Sequence, residues 1–289
     1  MSMKRRNKVM LAVGIIFLIL GGVLVYWNIP YSPYKAAFIK KMEARADKVK
    51  EKAEVCTAEE IARLPEPLKR YCAYIGLENY PKHQVTRTVF SDTKFVFDSQ
   101  TGKVLNMDYD LWLFYDEPYR SAYCTSSMFG VPFDGVDYCT EDKQGGMKGI
   151  LGKAIQIFDV RDAQGYKAGL ISWVAESVCI NPSVLLAPCL SYETLDANHV
   201  KVTISYNGVS GSGIFTISEE GKITEFYSDE RQVENVDGVM TPVGWRCEYG
   251  DYIEKDNIRQ ITSVRSIKVF PEKEVVYFDS DNFTVEYRK

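Results

Sequence analysis

A chain of 289 residues with 19 Tyr, 14 Phe, 20 Gly and 11 Pro has room for an anchor and one large ordered domain, and its aromatic content argues against disorder. Its net charge is −4, but the first 32 residues hold Lys4, Arg5, Arg6 and Lys8 and no acid; taking those four from 35 basic groups leaves 31 against 39 acidic ones, a net of −8. A body that acidic lacks the basic footprint of a nucleic-acid binder, and seven scattered cysteines without Cys-x-x-Cys, beside only His83 and His199, fit neither a disulfide scaffold nor a usual zinc site.

Val9 to Trp27 is an unbroken run of apolar or small residues. As a helix it spans roughly 28 Å, close to the hydrocarbon thickness of a bilayer. Tyr26 and Trp27 stand where an interfacial aromatic belt belongs. A cleavable signal peptide has a shorter apolar core and a small-x-small site, whereas Tyr26-Trp-Asn-Ile-Pro30 follows here, so an uncleaved anchor is the favoured reading. The expected organisation is a cytoplasmic tail (1–8), a transmembrane anchor (9–28), a helical stalk with short helices (29–80) and an antiparallel β domain (81–289). The basic tail places the C-terminal domain outside the cytoplasm of a single-pass membrane protein, although Lys35, Lys40, Lys41 and Arg45 reduce the asymmetry.

Between Tyr34 and Ala53, Phe38, Met42 and Val49 recur at helical spacing among Ala, Lys and Glu, which reads as a solvated stalk. Thr57-Ala-Glu-Glu60 is a capping box opening a helix over 59–64. Leu64-Pro-Glu-Pro67 interrupts it, and a helical turn or two resumes from Leu68 to Ile75, closed by Gly76.

After Pro81 the period changes to two. Leu105, Met107, Tyr109, Leu111, Leu113 and Tyr115 share one face of a strand, and Asn106, Asp108 and Asp110 share a wet one. Val200 to Tyr206 and Phe283 to Tyr287 alternate likewise. Turn signals at Asp116-Glu-Pro118, Gly145-Gly146, Asn207-Gly208, Glu220-Gly221, Asp237-Gly238, Asp256-Asn257 and Asp279–Asn282 join some ten to twelve strands. The fold class is therefore mainly β (α+β): a large curved antiparallel sheet or half-barrel.

One helical pattern, over 166–187, interrupts the meander. Tyr166, Leu170, Trp173, Val174 and Val178 fall on one side of the wheel, and Ser172, Glu176 and Cys179 on the other. The apolar stripe predicts a helix that fills the sheet's concave face.

Three stretches together resemble a bacterial family of unknown function whose members are often membrane-anchored. They are Leu64-Pro-Glu-Pro-Leu-Lys-Arg-Tyr71, a glycine–methionine turn at Gly145-Gly-Met-Lys-Gly-Ile-Leu151, and Leu170 to Leu186 with Ala175-Glu176 and Pro182. The resemblance runs from Leu64 to the C-terminus. It implies a curved antiparallel sheet with an internal helix, similar to bacterial lipoprotein carriers, and carries no established activity.

Catalytic signatures are weak. Gly208-Val-Ser-Gly-Ser-Gly213 fits neither Gly-x-Ser-x-Gly nor Gly-x-Gly-x-x-Gly and reads as a hairpin turn. A Ser or Cys nucleophile would need His83 or His199, one in a loop and the other on an exposed strand face. The cysteines read as small buried hydrophobes, with Cys124–Cys139 and Cys179–Cys189 the nearest pairs should any disulfide form. Glu176, beside the apolar stripe, could pair with Arg120 or Arg246, contact a ligand, or act as an acid. The candidate ligand-binding set is Trp112, Tyr119, Tyr123, Trp173, Glu176 and Trp245. No catalytic residue, metal ligand or cofactor is read. The leading expectation is a non-catalytic, membrane-tethered domain that binds an apolar or amphipathic ligand such as a lipid. The alternatives are a structural or interaction module of a cell-envelope complex and, more remotely, a carboxylate-dependent enzyme using Glu176.

Overall fold

The computed structural model describes residues 3–98, 102–234, 240–255 and 257–288. The expected turn at Asp237-Gly238, and Asp256 of the Asp256-Asn257 turn, lie outside the described residues.

Helix α1 (Met3–Asn28) has the length and composition to cross a membrane, and its apolar stretch is exposed from Val9 to Val25. That fits a single-pass anchor or a signal sequence. Helix α2 (Pro33–Ala46) starts at Ser32, whose hydroxyl accepts from the Lys35 amide. Helix α3 (Ala58–Ile61) carries the expected capping box, with the Thr57 and Glu60 side chains each bonded to the other's backbone amide. Helix α4 (Glu66–Ile75) begins earlier than the prolines led us to expect. Pro67 lies in its first turn, where a missing amide proton costs nothing.

The β domain then runs β1 (Val85–Asp98), β2 (Lys103–Phe114), β3 (Tyr119–Met128), β4 (Val131–Cys139), β5 (Gly145–Leu151) and β6 (Ile155–Asp162). Helix α5 (Ala163–Ile180) and a 3-10 turn (Pro182–Leu186) follow, and the chain returns through β7 (Leu190–Thr194), β8 (His199–Tyr206), β9 (Val209–Ile217), β10 (Ile223–Glu234) and β11 (Met240–Tyr249). It closes with β12 (Tyr252–Lys255), β13 (Ile258–Ile261), β14 (Val264–Val269), β15 (Glu274–Ser280) and β16 (Phe283–Arg288). The excess over ten to twelve strands comes partly from pieces such as β12 and β13, four residues each, too short to show alternation.

One sheet runs in the order β6-β5-β4-β3-β2-β1-β15-β14-β11-β10-β9-β8-β7, with β16 paired to the first half of β1 and β12–β13 forming a separate hairpin. Its pairs are antiparallel, as short connections require. The sheet curls: α5 touches β3, β4, β5 and β6 from one end and β8, β9 and β10 from the other. The edges β6 and β7 do not meet, so the result is a half-barrel gripping an internal helix.

Two glycine signals read as turns behave differently. Between β8 and β9 only Asn207 and Gly208 turn, both at positive φ (52° and 76°), and Val209 to Gly213 is already strand. Gly145-Gly146 lies inside β5. A Cβ on Gly145 would sit 2.5 Å from the Gly165 backbone, so these glycines let α5 lie directly on the strand.

The stalk reading is corrected most clearly at α2. Phe38, Met42 and Ala46 are buried against the outer face of β2 and β3, on Trp112, Phe114, Tyr119 and Tyr123. The β2 face that starts wet at Asn106 and Asp108 is covered from Asp110 onward. Ser32 fixes the helix start, donating to Asp134 at 3.0 Å and lying 3.2 Å from the Tyr123 hydroxyl. The sheet thus has a main core inside its curl and a second under α2.

Candidate functional site

Asp162 ends β6 and caps α5 in the same step, accepting from the Gly165 amide at 2.6 Å. The strand feeds the helix without a loop, so the hairpin sets the angle at which α5 enters the curl. From Leu170 to Ile180 every residue except Glu176 is buried. The two faces of this helix nevertheless differ in bulk. Trp173 is sealed away from the sheet's hollow, its indole donating to the Phe114 carbonyl at 2.9 Å beside the Tyr115 ring. The opposite face presents Ala168, Gly169, Ser172, Ala175, Glu176 and Cys179.

That small-residue face leaves a cavity of about 330 Å3 between helix and sheet. Phe90, Met107, Leu111, Trp245 and Phe278 supply apolar wall from the strands. Volumes of roughly 300–1,000 Å3, mostly apolar with a few placed polar groups, are typical of small-molecule sites.

The polar groups cluster at Arg120, which is 7% exposed. Its guanidinium forks onto Glu176, Nε to Oε2 at 2.6 Å and Nη2 to Oε1 at 2.8 Å. It also donates to Asp137 through Nη1 and to the Tyr109 hydroxyl at 2.7 Å. Burial opposes the arginine charge, but Asp137 and Glu176 overcome it and hold the group protonated well beyond its ordinary range. Burial likewise keeps Tyr109 protonated. Arg120 therefore ties β3, β4 and α5 together with most of its fork consumed. The carboxylate oxygens retain free lone pairs.

A second cation lines the cavity. Arg231 follows a bulge in β10 and lies 4.3 Å from the centroid of the Trp245 ring. Among the described residues no carboxylate pairs with it.

The expected site residues divide. Glu176 and Trp245 line the cavity. Trp173 packs on the far side of the helix, and Trp112, Tyr119 and Tyr123 belong to the outer core. Trp112 lies between the guanidinium groups of Arg87 and Arg288, at 5.4 and 5.1 Å. Arg45 covers Tyr119 at 3.9 Å. These aromatics hold α2 on the sheet, and the ligand-lining role read for them has no geometric basis. Of the two arginines weighed as partners of Glu176, Arg120 is the one that meets it. Arg246 pairs instead with Glu225, Glu248 and Glu274. Arg120 and Asp137 carried a readable signal, since each is a charge at an inward-facing strand position.

All seven cysteines are free thiols. Burial pushes Cys56, Cys72, Cys139 and Cys247 up to about 12, so none offers a thiolate nucleophile at neutral pH. Among the described residues no group of His, Cys, Asp and Glu converges on a metal-sized site.

The model of a family of unknown function, DUF6544, matches residues 54–280. The chain belongs to the DUF6544 family. The match spans α3 through β15 and therefore all of the cavity lining except Phe283 of β16, while α1 and α2 precede it. Among curated proteins nothing matches. Solved structures similar to this DUF6544 chain include a LolA superfamily protein from Nitrosomonas europaea, at 9% identity and TM-score 0.38, covering 81% of this chain and 95% of that one. Another is an outer membrane lipoprotein-sorting protein domain from Vibrio parahaemolyticus (9% identity, TM-score 0.29, 78% and 91% covered). A third is a DUF1329 family protein from Desulfovibrio piger (10% identity, TM-score 0.30, 81% and 94% covered).

Proposed function

We propose that this protein is a membrane-tethered, extracytoplasmic binding domain that holds an apolar or amphipathic molecule between α5 and the sheet. The observation that carries the reading is the cavity itself. A helix this deeply buried would ordinarily fill the curl, yet its inward face is built of Ala, Gly, Ser and Cys. The sequence sacrifices packing there and supplies a few charged groups at the wall, the composition of a ligand site. Arg120 acts as a strut that keeps Glu176 and Asp137 in place, and its largely consumed fork argues for binding over proton transfer.

The test is native mass spectrometry of the full chain released from detergent, with an apolar probe such as dodecan-1-ol added. Wild type is expected to retain one probe molecule. Ser172→Phe, which fills the cavity from the helix side, is expected to lose it while unfolding at the same or higher denaturant. Retention of the probe by Ser172→Phe, or no retention by wild type, would overturn the reading.

A further inference from the structure

The cavity's charges specify the ligand's head as well as its tail. This inference rests on the cavity being a ligand site. Two polar regions line the space, and they are not equivalent. At the first, Arg120 is opposed by both Glu176 and Asp137, one guanidinium against two carboxylates, so that wall repels anions. At the second, Arg231 lies over the Trp245 ring with no carboxylate partner among the described residues. The Trp245 indole N–H is taken by the Tyr277 hydroxyl at 2.9 Å, so the ring holds the guanidinium only through its face. That contact leaves the in-plane N–H fork of Arg231 open.

A half-buried guanidinium with a free fork, at the rim of an apolar space, is a receptor for a planar or tetrahedral oxyanion. The influence of Arg231 reaches into the cavity: at Tyr277 its charge works against the burial that raises the phenol. Volume limits the rest of the ligand. About 330 Å3 lies at the small end of the usual range, room for one chain and too little for a lipid with two or three.

We infer that the ligand is a single-chain amphiphile with an anionic head, a carboxylate or a phosphate ester, whose head is taken by Arg231 above Trp245 and whose chain lies between the small-residue face of α5 and the Phe90, Met107, Phe278 wall.

Four probes with the same chain test this on the full-length protein: dodecanoate, dodecyl phosphate, dodecan-1-ol and dodecyltrimethylammonium, with adducts counted by native mass spectrometry across a titration. Either anion is expected to bind ~10-fold or more tightly than the alcohol, the step one charge-assisted fork supplies, and the ammonium more weakly than the alcohol. Arg231→Gln is expected to reduce both anions to the affinity of dodecan-1-ol and to leave the alcohol unchanged. Arg231→Lys, which keeps the charge, is expected to restore part of the preference. Preference for dodecanoate alone would identify a fatty-acid head, and preference for dodecyl phosphate alone a phosphorylated one; both support the inference. Equal binding of all four probes, or an anion preference that survives Arg231→Gln, overturns it while leaving the cavity reading intact. If no probe binds, or if Ser172→Phe fails to weaken any of them, the cavity reading itself falls.

Discussion

Arg120 shows how much one inward-facing charge governs. Its neighbours on the inner side of β3 are Ala122 and Cys124, so a guanidinium there needs acid on both sides. Arg120→Met strips Glu176 and Asp137 of their partner. It is expected to cost about 3 kcal/mol in chemical denaturation, the low end for breaking a buried pair, because Asp137 remains 34% exposed. Asp134 makes the opposite case. Burial raises its carboxyl although Ser32 and Tyr123 bond to it, so its folded-state value lies above the unfolded one. The folded state then holds the extra proton, and stability rises as pH falls through that raised value, becoming complete below the unfolded value of about 3.9. Asp134→Asn keeps an acceptor for Ser32. It should be at least as stable as wild type at neutral pH, and the difference should vanish on acidification in parallel urea melts. A growing difference toward low pH would refute the assignment.

Among the elements, helix α2 is where sequence patterning misled. Phe38 and Met42 form a narrow stripe that suits a solvated helix, and their partner lies far along the chain. The partner did leave a trace. On β2, the positions that read Asn106, Asp108 and Asp110 continue as Trp112 and Phe114, a switch from polar to aromatic on one face that marks where cover begins. Phe38→Ala is expected to cost about 3 kcal/mol and to expose Trp112 to acrylamide quenching. Helix α5 was easier to find, because Tyr166, Leu170, Trp173, Val174 and Val178 recur at helical spacing among residues that otherwise alternate; its Asp162 cap appears only in the fold. Its bulky stripe drew attention to Trp173, whereas the space opens on its small side. Periodicity shows where large side chains pack and is silent about a void, which depends on what every opposing strand contributes. Hence Glu176 and Trp245, which line the cavity, could be picked out from the sequence, and Arg231, which follows a bulge in β10, could not. The Gly145–Gly165 approach was legible only as glycine content. Gly145→Val is expected to push α5 off β5, seen as lost near-ultraviolet ellipticity with the strand signal retained.

In the whole molecule, the hairpin between β5 and β6 joins α1 to the domain. The Lys153 ammonium donates to the carbonyls of Trp27 and Ile29 at 2.9 and 2.6 Å, and the Tyr26 hydroxyl reaches the Lys153 carbonyl. A lysine from the domain thus satisfies the Trp27 carbonyl in the last turn of α1 and adds a second donor to the Ile29 carbonyl just beyond it, which also accepts from the Tyr31 amide. Lys153→Met should leave the unfolding midpoint of the β domain unchanged. It should loosen the domain on α1, read as faster anisotropy decay of a domain-attached dye with the full chain placed in nanodiscs. Unchanged decay would mean that Ser32 and α2 suffice to hold it.

That lysine couples parts of the chain with different tasks. The hairpin it sits on also launches α5, so α1 and the cavity's inner wall are attached to the same β5–β6 hairpin. With α1 in a bilayer, a tilt imposed on the anchor by its lipid surroundings would be transmitted to α5 rather than absorbed by a swivel. On the proposed reading of the cavity as a ligand site, loading and release would then respond to membrane thickness.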